Sequence, residues 1–392
     1  MTIENLKNCT GCSSCYSVCP KFAITMVANF EGFLYPQIDK TKCVGCGLCE
    51  KVCPVITPLK KENSIKVSPT AYAAMNKNEE IRLSSSSGGI FTAIAEQIIA
   101  EKGIVFGARF ADDFSVIHSY TDSVNGLSDF QGSKYSQSVI GDSYKKCRAF
   151  LEDGRKVLFT GTPCQIHGLK KYLVKEYENL ITVDFICHGI PSPLLWSKYK
   201  AYRESLSGSN TVKTSFRVKN DGWKNYSVKF VFGNNMKYCV SFKKDHYMQI
   251  FLKDVALRNS CYDCIGRGLQ RPSDITLADF WGIQNVLPEM DSDDKGTNLV
   301  ICHSEDGKNL LDRISSVCVL KEVILNEAIK YNPSLLISPK YPKKRDCFYS
   351  DLEKYSFKKI IRKYAKTPLL RKAISFLLRV IRRIVRVINY AK

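Results

Sequence analysis

Eight of the 17 cysteines fall in two near-identical runs at the N-terminus. Cys9, Cys12, Cys15 and Cys19 precede Pro20, and Cys43, Cys46, Cys49 and Cys53 precede Pro54. Each run reads C-x2-C-x2-C-x3-C-P, a spacing that holds a pair of 4Fe-4S clusters, the fourth cysteine of each run ligating the other cluster. The expected ligand sets are Cys9, Cys12, Cys15 and Cys53 for one cluster, and Cys43, Cys46, Cys49 and Cys19 for the other. Soft thiolates select iron–sulfur over hard-cation chemistry. Zinc ribbons and disulfides are the competing readings, but zinc usually shows two CxxC pairs rather than two four-cysteine runs. The pattern is one for moving electrons.

A two-cluster bacterial-type ferredoxin fold accounts for residues 1–57 of 392. The remainder suits one large domain or two ordinary ones, and a hydrophobic content of 44% is enough to bury real cores. Met1 to Thr10 has no apolar stretch of the signal-peptide kind. Unpaired thiols and oxygen-sensitive clusters fit a reducing cytoplasm, that of an anaerobe. The net charge of +20 suggests nucleic acid at first sight. Yet residues 354–392 carry 13 Lys/Arg and no Asp/Glu, leaving 45 − 38 = +7 for everything before them.

Residues 58–69, polar and bounded by prolines, read as a linker. From Thr70 strands alternate with amphipathic helices, the mark of an α/β domain. Strands are expected at 70–76, 104–110, 157–160 and 181–186, and helices at 88–101, 142–153, 164–174, 193–206 and 247–258. Residues 211–242 look antiparallel, with Gly233-Asn234-Asn235 as a hairpin turn. A last strand–helix–strand–helix stretch runs to about 331. The fold class expected is therefore a multidomain α+β and α/β chain: a ferredoxin fold, a mixed α/β domain over 70–335 with an antiparallel portion, and a basic tail over 336–392 that carries an amphipathic helix.

Drawn as a helix, 369–389 gathers Arg371, Lys372, Arg379, Arg382, Arg383 and Arg386 within an arc of about 120°. Leu370, Ile374, Leu377, Ile381, Ile384, Val385 and Ile388 share the opposite face. Six cations exclude a transmembrane span. A basic amphipathic helix favours a membrane surface or a partner groove over simple packing on its own domain. Aromatics do not interleave with the cations on one face, so nucleic acid is not expected.

Four further cysteines have informative surroundings. Cys164 follows a strand in GTPCQ, Cys187 ends another in ICHG, and Cys261 and Cys264 form a CxxC. Pattern alone leaves a third metal site and buried free thiols both open. Cys147, Cys239, Cys302, Cys318 and Cys347 have no such context. Ser84 to Gly89 precedes a helix and could cradle a phosphate at its N-terminus, although serine-rich caps are common. Gln131-Gly132-Ser133-Lys134-Tyr135-Ser136 is a second such turn. His167 and His188 flank the candidate ligands, and an ordinary hydrogen-bonded histidine is the commoner outcome for each. Neither familiar nucleotide-binding loop is present.

SSSSGGIFTAIA (84–95), GSKYSQS (132–138), GTPCQIHGLK (161–170), DFICHGIPSP (184–193), CYDC (261–264) and DITLADFWGI (274–283) together resemble the coenzyme F-420 hydrogenase/dehydrogenase beta-subunit family. The resemblance implies FAD and a 4Fe-4S cluster within the catalytic domain. Carried over, it makes Cys164, Cys187, Cys261 and Cys264 ligands of a third cluster. Ser85, Ser86, Ser87, Gly88, Gly89, Gly132, Ser133, Lys134, Tyr135, Gly161 and Thr162 become flavin contacts. The implied function is an iron–sulfur flavoprotein oxidoreductase passing electrons from a donor, such as reduced ferredoxin or a partner subunit, to a small-molecule acceptor. The alternative is a non-catalytic electron-transfer subunit docked on a membrane or partner enzyme. The tail matches no part of the family pattern and suggests a cytoplasmic protein held at the inner face of the membrane.

Deleting residues 366–392 is expected to abolish co-sedimentation with anionic liposomes. Equal binding of the full chain to neutral and anionic lipid would contradict the electrostatic part of this expectation.

Overall fold

In the computed structural model, residues 3–59 and 68–365 are described. The expected basic helix over 369–389, and residues 60–67 of the expected linker, lie outside them. The N-terminal unit is a hairpin of β1 (Ile24–Ala28) and β2 (Leu34–Ile38), paired antiparallel from Ile24↔Ile38 to Ala28↔Leu34. Each cysteine run lends its third cysteine to a short helix, Ser14–Val18 or Leu48–Lys51.

Eleven strands follow in the described residues: β3 (Thr70–Asn76), β4 (Ile104–Phe110), β5 (Val116–Thr121), β6 (Val157–Thr160), β7 (Leu180–Phe185), β8 (Thr211–Val218), β9 (Ser227–Phe232), β10 (Lys237–Ser241), β11 (Ile275–Asp279), β12 (Asn298–Cys302) and β13 (Cys318–Val323). Eight of them form one mixed sheet in the order β13-β3-β12-β11-β7-β6-β4-β5. Its centre, β11-β7-β6-β4, is parallel, and antiparallel strands flank it on both sides.

Helices cover both faces, so the central strands read as continuous apolar runs. Successive side chains alternate between the two cores. Val105 and Leu158 meet the Ile90–Ala100 helix on one face. Ile104, Phe106, Val157 and Phe159 meet the Ser143–Glu152 and Pro163–Leu173 helices on the other.

The expected antiparallel portion is a separate three-stranded sheet, β10-β9-β8. Its apolar face packs with Leu195, Trp196 and Tyr199 of the Pro193–Ser207 helix. The same core takes in Phe348, Tyr349, Leu352, Ile360, Ile361 and Tyr364, so chain beyond 336 closes the body as far as Ala365. The helix expected over 247–258 stops at Phe251. Asp254 takes a left-handed φ of 62°, which a helix cannot accommodate, and its carboxylate is drawn to His188. Strand β5 lacked a clean alternating pattern and was not expected. No helix among the described residues is long and apolar enough to cross a membrane.

The N-terminal unit is fastened to this body by buried polar contacts. Arg258, 1% exposed, donates to the carbonyls of Cys9 (2.6 Å) and Leu34 (2.9 Å) and to Gln137 (2.9 Å). Glu31 accepts both arms of Arg345 at 2.8 and 2.7 Å. Removing one partner of such a pair leaves a buried charge uncompensated. Glu31→Ala should therefore cost about 3–5 kcal/mol of unfolding free energy, measurable by chemical denaturation.

Candidate functional site

A cavity of about 560 Å³ opens beyond the C-terminal ends of β6, β7 and β11. This is where parallel sheets generally place ligands, because the strand ends release loops there. Strand β6 runs into Gly161 and Thr162, and Thr162 caps the Pro163–Leu173 helix in a reciprocal box with Gln165. Strand β7 runs into Ile186 to Gly189, and β11 into Asp279 and Trp281.

The first two loops bring Cys164 and Cys187, and the segment before β11 brings Cys261 and Cys264, to one wall of the cavity. Their thiols lie within electrostatic reach of one another, and burial is the leading cause that raises three of them: Cys187 to about 12, Cys261 to about 11, and Cys164 well above its ordinary value. Cys261 accepts a hydrogen bond from the Ile190 amide and Cys264 from the Gly266 amide, both at 3.4 Å. Among the described residues no three His, Cys, Asp or Glu side chains converge as closely as a single metal ion requires.

The first N-terminal set, which takes Cys53 from the second run, comes together in the structure. Cys9, Cys12, Cys15 and Cys53 line a small apolar-walled cavity with Ile3, Leu6, Met26 and Pro36. Cys15 is raised by burial and by the neighbouring Cys12, Cys9 and Cys53 thiols. The other set is strung along one hydrogen-bonded path. The Ala23 amide donates to Cys19 Sγ (3.4 Å), the Asp39 amide to the Ala23 carbonyl (2.7 Å), and the Cys43 amide to the Asp39 carbonyl (3.0 Å). Cys46 lies near enough to Cys49 to raise it.

The first set touches the helix that carries Cys164. Ser14 Oγ donates to the Gly168 carbonyl at 2.8 Å, and a Cβ on Gly168 would lie 2.7 Å from Cys12 Cβ. Only glycine permits this approach. Cys164 and Gly168 are one helical turn apart, about 6 Å along the axis.

The opposite wall is built from the two small-residue loops. Ser85 and Ser87 turn inward to the carbonyls of Ile81 (2.7 Å) and Thr297 (2.8 Å). Ser86 reaches across to Ser133 at 2.7 Å, joining the loops. Lys219 fixes the serine loop by donating to the carbonyls of Arg82, Ser87 and Lys295 at 2.6–2.7 Å. Gly89, Gly132, Lys134, Tyr135, Gly161 and Thr162 also line the cavity. Gly88 stands back from it, packed on the Ala74 carbonyl. Lys134 donates to the Gln131 and Gly132 carbonyls, and burial lowers it to about 7.

Two wall residues, Arg217 and His118, carried no sequence signal. Arg217 is held by Asp279 at 2.6 Å and lies over Tyr226, while its Nε and Nη2 find no partner among the described residues. Ser136 Oγ is likewise buried and unpaired. His118 Nε2–H donates to the Thr160 carbonyl (3.0 Å), and its Nδ1 accepts from Ser138, which in turn accepts from Gln165. These bonds define the neutral tautomer. His188 lines the cavity, paired with Asp254 at 2.6 Å. His167 is half-buried on the Pro163–Leu173 helix and does not line the cavity.

Residues 154–326 match the family model for the C terminus of the coenzyme F420 hydrogenase/dehydrogenase beta subunit. Residues 8–56 match the 4Fe-4S dicluster domain. None of the curated proteins matches the chain. Among solved structures, a chain of the xenon-derivatised F420-reducing NiFe hydrogenase complex from Methanosarcina barkeri is similar over 76% of this chain and 91% of its own, with 15% identity and a TM-score of 0.44. The two family matches make this an iron–sulfur chain of electron transfer with an oxidoreductase-related role.

Burial holds His118, His167 and His303 down to about 4. Between pH 6.5 and 4 the unfolded chain binds protons that the native interior refuses, so stability falls as pH falls through that window. Thermal melts should show this acid limb, and His118→Gln should make it shallower.

Proposed function

We propose that the chain is an iron–sulfur flavoprotein reductase, with three 4Fe-4S clusters leading from a surface set of thiols to FAD and a small-molecule acceptor in the large cavity. One observation carries this reading. Four cysteines from three separate segments line the same cavity as the serine and glycine loops, and the inner N-terminal set abuts the helix that bears one of them.

The donor sets suit these groups. Four thiols with amide-to-sulfur hydrogen bonds and low solvent access are the surroundings that tune iron–sulfur clusters. The unpaired donors of Arg217 and Ser136, with Lys134 and the open turn at Gly132, suit a ligand rich in oxygen acceptors. A volume of about 560 Å³ falls within the range of cofactor sites. Bound flavin supplies the exchange between single-electron and hydride-level transfer. The chain's own part would be to exclude water, hold the cofactor through these donors, and keep His118 neutral in the cavity wall.

Anaerobic purification followed by iron, sulfide and flavin assays tests the proposal. About twelve iron and one flavin per chain are expected, falling to about eight iron in Cys164→Ala. Eight iron and no flavin in the unaltered chain would overturn it. Turnover of an oxidised acceptor by the chain alone, with dithionite, distinguishes a reductase from a subunit that only passes electrons on.

A further inference from the structure

The two cysteine runs are alike in sequence but face different surroundings. Gly11 and Gly45 occupy the same place in each run, between the first two cysteines, with φ of +70° and +67°. A Cβ on Gly11 would meet Gln137 at 2.7 Å and Arg258 at 2.9 Å, whereas a Cβ on Gly45 would meet nothing within 4 Å. One loop is sealed against the large domain. The other looks out, and every residue from Lys40 to Gly47 is exposed, Cys43 and Cys46 included.

Two exposed apolar side chains flank this loop, Val44 at 64% and Phe22, three residues after Cys19, at 73%. Cations surround them. Lys21, Lys40 and Lys51 are exposed and have no carboxylate partner among the described residues, and Lys171 lies near Lys51 and Cys53. Lys42 is matched by Asp39 at 3.2 Å and Lys145 by Asp142 at 3.0 Å, with Lys145 also over the Tyr16 ring. Glu50 is the remaining acid nearby. The rim therefore nets +3, six lysines against three acids. Neither Cys43 nor Cys46 lines the large cavity or the small one beside the inner thiol set.

We infer that the surface around Cys43–Cys46 is the electron-uptake face, and that its partner is a small acidic electron-carrier protein. The apolar pair at Phe22 and Val44 supplies a dry centre, and the lysine rim steers an oppositely charged protein to it. The same rim repels a second copy of itself. Reduction transfers one electron from the carrier's reduced centre to the outer cluster, leaving the carrier oxidised by one electron.

The inference rests on the proposed direction of the relay. Its readout is bleaching of the iron–sulfur absorbance, which the N-terminal domain gives whether or not the cavity holds flavin. The full chain is reduced anaerobically in a stopped-flow cell by an acidic two-cluster bacterial ferredoxin, and separately by the methyl viologen radical cation. At about 20 mM ionic strength, Lys40→Glu/Lys42→Glu should slow reduction by ferredoxin at least about tenfold, and about 500 mM salt should slow the unaltered chain similarly. Reduction by the viologen cation should be unchanged or faster. Lys21→Glu/Lys51→Glu serves as an independent pair, and iron content is measured in every variant to show that the clusters are retained. Ferredoxin rates that ignore both the substitutions and the salt would overturn the inference, as would failure of ferredoxin to reduce the unaltered chain.

Discussion

The contact of Cys12 with Gly168 sets the spacing on which the rest of the structure depends. It places a loop of the N-terminal unit against the middle of a helix whose first turn carries Cys164, with no side chain between them. Arg258 holds the same loop from the other side through three neutral acceptors. A fully buried guanidinium without a carboxylate is costly to desolvate. Its nearest source of compensating negative charge is the thiol set beginning at Cys9, whose ionised form it stabilises.

Burial works against that ionised form throughout the inner thiols. Cys9, Cys15 and Cys53 are raised, as are Cys164, Cys187 and Cys261, and desolvation leads in every case. Without metal these six are packed as protonated thiols. Iron coordination requires thiolates, so cluster insertion releases protons and exchanges a desolvation penalty for metal–sulfur bonds. The backbone amides aimed at Cys9, Cys19, Cys261 and Cys264 are already positioned for the charged form. The fold is thus arranged for a state that the bare polypeptide disfavours.

Much of this was legible in the sequence, for identifiable reasons. The meeting of Cys53 with Cys9, Cys12 and Cys15 is expected from local spacing, which two short loops can satisfy in few ways. Strands such as Thr70–Asn76 and Ile104–Phe110 showed as apolar runs because helices bury both of their faces. The convergence of Cys164, Cys187, Cys261 and Cys264 was not decidable from spacing, since it depends on how β6, β7 and β11 lie side by side. Glu31 and Arg345 are 314 residues apart, and neither position is unusual until the two meet. Arg217 sits in an ordinary alternating strand, and its unpaired donors exist only in three dimensions. Sequence also overextended the helix after His246, because the left-handed turn at Asp254 is set by its tie to His188.

The cavity wall shows how one polar arrangement can both hold shape and stay available. Lys219 gives all three of its hydrogens to carbonyls, so its work is to brace the serine loop. Arg82 supports the same segment through Asp293 and the Gly296 carbonyl. With those two cations committed, Ser85 and Ser87 can turn inward while Ser86 stays at the surface of the cavity. Arg217 is different: Asp279 satisfies one arm and balances its charge, and Trp223 holds Asp279 in turn at 3.1 Å. The free donors therefore belong to an ion pair that is neutral overall, which can accept a ligand oxygen without burying an uncompensated charge when the ligand leaves.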